Sequence, residues 1–301
     1  MKRRGKTAKG EQRWECLCCH RTYLWKNAEI AFHRSKAHLL RWLKGTTILD
    51  LAQRARCSPK MMRERIHASL LTAPIPSYAV KQLTHAVMDG TCFDGKYISA
   101  FVALDAKIRR ALYWDYGTRE NQHDLVGLFE RMRNDGCTLV SATIDGNPAI
   151  ARALRRVWPN IRIQRCLVHV QRQGLMWCRF RPNRTDAIHL RKLFMNILSI
   201  ETRSEAEYFL SGLEGWERRF GEGVDNDESH GWVVSDLRRA RSMLLKARPF
   251  LFTYLDDPDI PRTTNMAEGF FSRFKGLLRS HRGMNRLHRQ RAFEWFCVKC
   301  R

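Results

Sequence analysis

The chain has no run of about 18 consecutive apolar residues, so no segment is suited to cross a bilayer as a helix. Its basic start, Met1-Lys-Arg-Arg-Gly-Lys, lacks the apolar stretch that a secretory signal requires, and the expected location is the cytoplasm. In that compartment the ten cysteines read as buried small residues or metal ligands rather than disulfides. No internal repeat or low-complexity segment is present, which excludes a repeat array. Acid is scarce: 30 Asp+Glu face 54 Lys+Arg, a formal net charge of +24. A chain this basic attracts phosphate backbones at long range. Its 301 residues, 44% of them apolar, suffice for a sizeable core with one or two smaller modules.

Among the few acids, three stand in settings that a metal-dependent nuclease needs. Asp89 ends the apolar run of His85-Ala-Val-Met-Asp-Gly, Asp145 ends that of Ser141-Ala-Thr-Ile-Asp-Gly, and Glu268 opens an amphipathic helix in Thr263-Thr-Asn-Met-Ala-Glu-Gly. On that helix Glu268, Ser272, Lys275 and Arg279 share one face, while Phe270, Phe271, Phe274, Leu277 and Leu278 form the apolar one. An acid heading a basic stripe suits a metal-bound phosphate, and a solvated helix is the plainer account. For either Asp taken alone, the following Gly has an ordinary explanation as a tight turn. Three carboxylates from distant segments on one centre would suit Mg²⁺ or Mn²⁺.

The order of elements is that of an α/β protein. Ala86–Phe93, Tyr97–Leu104 and Arg109–Tyr116 read as an antiparallel meander, followed by a helix at Gln122–Asn134, a strand from Thr138 to Asp145, a helix at Pro148–Val157 and a strand at Ile161–Arg165. Strands first, then alternating helix and strand, is the order of a ribonuclease H-like mixed sheet. Helical patterns such as Asp186–Ser199 and Ser204–Phe220 then read as an all-helical insertion splitting that core. The expected division is 1–44, a basic leader with a Cys/His patch; 45–77, a helix-turn-helix and linker; 78–170, the first part of the core; 171–257, the insertion; and 258–301, the helix that carries Glu268.

Ser58 is the expected N-cap of the second helix of the helix-turn-helix, which would enter the major groove with Lys60, Arg63 and Arg65 toward DNA. Trp177, Trp216 and Trp232 are core residues or platforms for an unpaired base. Around Cys16-Leu-Cys-Cys-His20 two zinc readings and a metal-free one stand open. One zinc reading is a two-Cys-two-His finger of Cys16, Cys19, His33 and His38. Cys297-x-x-Cys300 has no partner pair and reads as incidental.

The chain resembles the mutator-like DDE transposases of bacterial insertion sequences. The resemblance rests on Met88-Asp-Gly-Thr-Cys-Phe, Ile144-Asp-Gly with Ala153-Leu-Arg-Arg-Val-Trp-Pro, Gln164-Arg-Cys-Leu-Val-His-Val-Gln-Arg172 and Arg262-Thr-Thr-Asn-Met-Ala-Glu-Gly. These cover the chain from about residue 85 onward, with the three acids 56 and 123 residues apart. It implies that Asp89, Asp145 and Glu268 are the catalytic triad holding Mg²⁺ or Mn²⁺. Cys166 and His169 would be the family's Cys-x-x-His signature, shaping the active site, and Arg172, Lys275 and Arg279 would contact DNA. Gln173 stands where the family often has Asn.

The second zinc reading also comes from the resemblance: Cys16 and Cys19 would form one knuckle of a Zn²⁺ ribbon whose first knuckle is missing, as in a chain that begins late. The implied activity is cleavage at terminal inverted repeats and joining of the 3′-hydroxyl to target DNA, by a homo-oligomer in the nucleoid, with no membrane partner. The alternatives are a catalytically silent DNA-binding regulator and a nuclease without strand transfer.

Overall fold

The computed structural model describes residues 2–8, 10–15, 17, 18, 20, 22–24, 28–75, 80–93, 99–117, 119, 121–229, 231–281 and 283–299. The chain divides into two compact units, residues 1–75 with 276–300, and residues 76–275.

In the first unit the basic leader is not an irregular arm. Lys2–Lys6 forms strand β1, which pairs antiparallel with β2 (Gln12–Glu15), and β2 pairs with β3 (Thr22–Leu24). The repulsion of so basic a strand is relieved by one acid, since Glu15 takes Arg4 at 2.9 Å and His20 at 3.1 Å. Helix α1 (Ala28–Leu43), absent from the sequence reading, follows and buries Leu39, Trp42 and Leu43. Next come α2 (Ile48–Arg54) and α3 (Pro59–Leu70), joined by four residues. Thr47 caps α2 by accepting the Asp50 N–H, and Ser58 caps α3 as expected, accepting the Met61 N–H at 3.2 Å.

The second unit is built on a five-stranded mixed sheet. Its strands are β4 (His85–Cys92), β5 (Ser99–Asp105), β6 (Ala111–Tyr116), β7 (Ser141–Ile144) and β8 (Arg162–Arg165), in spatial order β6-β5-β4-β7-β8. β4, β5 and β6 are antiparallel; β7 and β8 run parallel to β4. The expected meander is present, and Asp105 explains why β6 starts two residues late. Its carboxylate accepts the Lys107 and Ile108 N–H groups, and the turn closes through Arg109 at φ +55°. The expected strand from Thr138 shortens to its last four residues before Asp145. Helices α4 (Gln122–Asn134) and α5 (Pro148–Val157) lie where the periodicity puts them.

Leu125, Leu128, Phe129 and Met132 of α4 and Ile150, Leu154 and Val157 of α5 cover one face of the sheet, against Ala86, Met88, Phe101, Ala103, Ala142 and Ile144. Side chains alternate along a strand, so the odd-numbered Val87, Asp89, Thr143 and Asp145 belong to the opposite face. That parity sends the two acids away from the apolar layer.

A helical region follows: α6 (Leu167–Cys178), α7 (Thr185–Asn196), α8 (Arg203–Trp216), α9 (Glu222–Asp225) and α10 (Trp232–Ala247). Its separate core gathers Val170, Leu190, Phe194, Leu213, Trp216, Leu237 and Leu244. Gly174 is there because α6 approaches α7 closely: a Cβ would stand 2.3 Å from the Phe194 ring. Two ion-pair groups tie the periphery, Arg184 with Asp186 and Asp227, and Arg241 with Glu217 and Asp225.

The last two helices are α11 (Asn265–Ser280) and α12 (Arg286–Lys299), and the boundary between the units falls inside α11, between Lys275 and Gly276. In the first unit α12 packs against α1 and α3, burying Phe293 and Phe296, and its Trp295 donates to the Thr72 carbonyl at 2.9 Å.

Candidate active site at the carboxyl ends of the central strands

Asp89 and Asp145 are brought together by strand register. β4 and β7 pair in parallel as far as Val87 opposite Thr143, and each aspartate follows two residues past that last pair, on strands that lie about 4.8 Å apart where they pair. Asp145 follows the last β7 residue and opens a turn through Gly146 at φ +102°, where its Oδ1 accepts the Asn147 N–H at 2.9 Å. The turn expected after Asp89 is absent. Gly90 continues β4 opposite Phe101, because β5 extends its pairing to Cys92 after β7 has ended. Asp89 Oδ1 accepts the N–H of Gly90.

Glu268 is delivered by a track of bonds that threads residues 257–264 along the strand ends. Asp257 pairs with Arg162 at the start of β8 (2.5 Å), and the Thr143 hydroxyl donates to the Pro261 carbonyl (2.7 Å). The Leu167 N–H donates to the Arg262 carbonyl (3.0 Å), and the Thr264 N–H to Cys166 Sγ (3.2 Å). Thr264, fully buried, then starts α11: its carbonyl accepts the Ala267 and Glu268 N–H groups. Thr143 lies on the same face of the sheet as the two aspartates, and its bond to Pro261 carries the chain toward that face.

Around Glu268 stand His169, with Nε2 3.5 Å from Oε1, and Arg172, 3.9 Å from Oε2. The imidazole is oriented from its other nitrogen, since Nδ1 and the Thr264 hydroxyl share a 3.2 Å hydrogen bond. Hydrogen bonding to Cys166 holds His169 above the ordinary imidazole value; burial opposes this, and the negative charges of Cys166, Glu268 and Asp145 add to it. Burial pushes the Cys166 thiol up, but hydrogen bonds from His169 and Thr264 outweigh it and draw the thiol below its usual range. The Cys-x-x-His pair and Thr264 therefore form one polar unit behind Glu268. Within that unit Glu268 Oε1 is shut off from solvent and accepts no hydrogen bond; the His169 contact is an ion pair without hydrogen-bond geometry. A buried carboxylate oxygen left unmatched costs about 1–3 kcal/mol or more.

At the opposite end of the same strands lies a second cluster that sequence reading missed. His85, Asp257 and Asp259 bring ligand atoms within 4.8 Å of one another, the only such trio of His, Cys, Asp or Glu among the described residues. Its carboxylates are already matched: Asp257 by Arg162 at 2.5 Å, and Asp259 by Lys107 at 2.8 Å. His85 Nδ1 shares a 2.9 Å hydrogen bond with the Ser141 hydroxyl. These bonds anchor the start of the track that leads to Glu268.

The remaining candidates fall as follows. Lys60 and Arg63 are exposed on α3, whereas Arg65 is half-buried, with its guanidinium against the sulfurs of Cys57 and Met61. Arg172, Ser272, Lys275 and Arg279 are exposed, and Phe270, Phe271, Phe274 and Leu277 are buried, so the two faces read for α11 are present. Trp216 is a core residue whose indole donates to the Asp186 carbonyl, and Trp232 is 76% exposed. Cys16, Cys19 and Cys300 lie outside the described residues, as does the His33 side chain; Cys297 is buried. Thr143, Thr264, Asp257 and Arg165 escaped the sequence reading. Only Thr264 carried a signal, a threonine placed to open the Glu268 helix.

Residues 84–228 match the family model described as "Transposase, Mutator family", a span that includes Asp89, Asp145, Cys166 and His169 and stops before Glu268. No curated protein matches the chain.

Proposed function

We propose, from the match of residues 84–228 to the Mutator-family transposase model, a DNA transposase whose Asp89, Asp145 and Glu268 form a single phosphoryl-transfer site. The observation that carries this reading is Glu268 Oε1, buried without a hydrogen-bond donor on a helix threaded toward the sheet face of Asp89 and Asp145. An acidic oxygen in that state is completed by a cation. The donor set is all carboxylate oxygen, which fits Mg²⁺ or Mn²⁺ and not a soft metal. When bound, such ions supply an activated water or 3′-hydroxyl and stabilise the leaving oxygen of an in-line displacement.

The chain's own residues position these parts. The Asn147 N–H donates to one oxygen of Asp145 and fixes the orientation of its carboxylate. His169, fixed by Thr264 and Cys166, offsets the charge of Glu268 until a stronger cation takes its place. Arg172 and Lys275 stand exposed on the helices that carry His169 and Glu268, suited to hold DNA phosphates. The His85 cluster is a poorer metal centre, because Arg162 and Lys107 already neutralise its acids. The sheet order β6-β5-β4-β7-β8, with helices after β6 and β7, supports the ribonuclease H-like assignment of the core. The capped pair α2 and α3, with Lys60 and Arg63 exposed, supports a helix-turn-helix that reads the terminal inverted repeats. Zn²⁺ at Cys16 and Cys19, and a homo-oligomer acting on paired DNA ends and target DNA, complete the proposal.

The test is Mn²⁺ binding followed by electron paramagnetic resonance, with Mn²⁺-dependent nicking and joining of plasmid DNA alongside. Wild type is expected to bind and nick, and Glu268→Gln to lose both while keeping its melting temperature. Nicked products without joined ends would reduce the reading to a nuclease. A protein that binds DNA but neither Mn²⁺ nor phosphodiester chemistry would be a regulator, and the enzyme reading would fall.

A further inference from the structure

Arg165 is the last residue of β8, level with Ile144 and therefore beside Asp145. Its backbone is held rigidly. The Cys166 N–H donates to the Ile144 carbonyl at 2.8 Å, and the Gln164 side chain clamps the Arg165 carbonyl (2.6 Å), the Leu251 carbonyl (2.8 Å) and the Tyr254 N–H (3.1 Å). The side chain lies flat on the turn after Asp145. A Cβ on Gly146 would fall 1.2 Å from Arg165 Nη1 and 1.3 Å from Cζ, so the glycine is needed for the guanidinium to pass as well as for φ +102°.

Having been brought there, Nη1 is sealed from solvent and donates to nothing. Burial lowers the proton affinity of this arginine, and the charges of Asp145 and Cys166 oppose that only in part. A guanidinium is the side chain least willing to give up its proton, so the unmet donor persists. Glu268 Oε1 and Arg165 Nη1 are thus unmatched groups of opposite sign, one on the helix and one on the strand that flank His169 and Asp145. The first asks for a cation and the second for an anionic oxygen.

We propose that Arg165 binds a non-bridging oxygen of the phosphodiester undergoing reaction, and that Gly146 is the floor that lets it reach that oxygen. The assignment rests on the phosphoryl-transfer reading of Asp89, Asp145 and Glu268. A planar guanidinium pairs with phosphate oxygens through short, charge-assisted hydrogen bonds. A donor aimed at charge that grows in the transition state acts on turnover more than on affinity.

The experiment compares wild type with Arg165→Met, Arg165→Lys and Gly146→Ala by three measurements: melting temperature without DNA or metal, Mn²⁺ affinity, and plasmid nicking. Removing an unmatched charge is expected to leave the melting temperature of Arg165→Met unchanged or higher. Its Mn²⁺ affinity should stay within about twofold, while nicking falls about 10²–10³-fold, the loss typical of one such donor. Arg165→Lys should recover part of that rate, and Gly146→Ala should imitate Arg165→Met. A lower melting temperature with Mn²⁺ affinity lost in parallel would make Arg165 a positioning group for Asp145 and overturn the proposal, as would an unchanged rate. Wild type that neither binds Mn²⁺ nor nicks would remove the phosphoryl-transfer reading itself, a result recognisably different from the others.

Discussion

The two ends of the central sheet carry nearly the same residues and opposite bookkeeping. At the amino end of β4, β7 and β8 stand a histidine, two aspartates, an arginine and a lysine, and each acid has its cation: Arg162 on Asp257, Lys107 on Asp259. At the carboxyl end stand a histidine, two aspartates, a glutamate and two arginines; Glu268 has only the longer contacts to His169 and Arg172, and Glu268 Oε1 and Arg165 Nη1 are buried with no hydrogen-bond partner. The matched cluster is a fastening. The unmatched atoms cost stability as they stand, and under the proposed function they are the binding site. Closeness of metal-ligating atoms alone selects the amino end, where the acids crowd because cations already hold them.

The comparison breaks most sharply if a neutral substitution at either end has the same effect. Asp145→Asn and Glu268→Gln are expected to lower Mn²⁺-dependent nicking by at least about 10³-fold, as loss of one member of a catalytic unit does, with melting temperature unchanged or raised. Asp257→Asn should do the reverse: a melting temperature lower by a few degrees, and nicking reduced no more than about tenfold, as the track to Glu268 slackens. Thermal melts and plasmid assays on the three variants decide it.

A control away from both ends is Gly174→Ala. Its methyl would meet the Phe194 ring, and the overpacking should cost about 1–3 kcal/mol in urea unfolding, with Mn²⁺ affinity unaffected.

The smallest effects are in pH dependence. His169 is held above the ordinary imidazole value of 6.5, so its contribution to stability is full below that pH and fades as pH rises through the folded value. His281 in the first unit behaves oppositely. Burial, with Arg63 and His67 nearby, pushes it down to about 4, so the native state loses stability as pH falls from 6.5 toward 4. Histidine NMR titrations should show both directions, and Glu268→Gln should lower the His169 value while leaving His281 in place.

Much of this was legible in the residues. Alternation placed four of the five core strands within about two residues, and Ser58 caps its helix as its residue type leads one to expect. Helix α1 was missed because its apolar positions sit among basic and Cys/His residues that read as a metal patch. The Asp89-Gly90 turn was expected where a strand continues, because a strand's length depends on its partner, and β5 outlasts β7 alongside it.

By itself the sequence determined the order of the core strands and of α4 and α5 and the basic net charge, and it named the three acids proposed for the site, since these depend on periodicity, composition and local spacing. Tertiary structure alone decided which polar groups meet. Asp257 finds Arg162 across 95 residues, Thr143 finds Pro261 across 118, and Thr264 closes on Cys166 across 98. Such bonds join distant segments whose separation in sequence carries no geometric information, and only the folded sheet reveals which buried groups are paired and which are not.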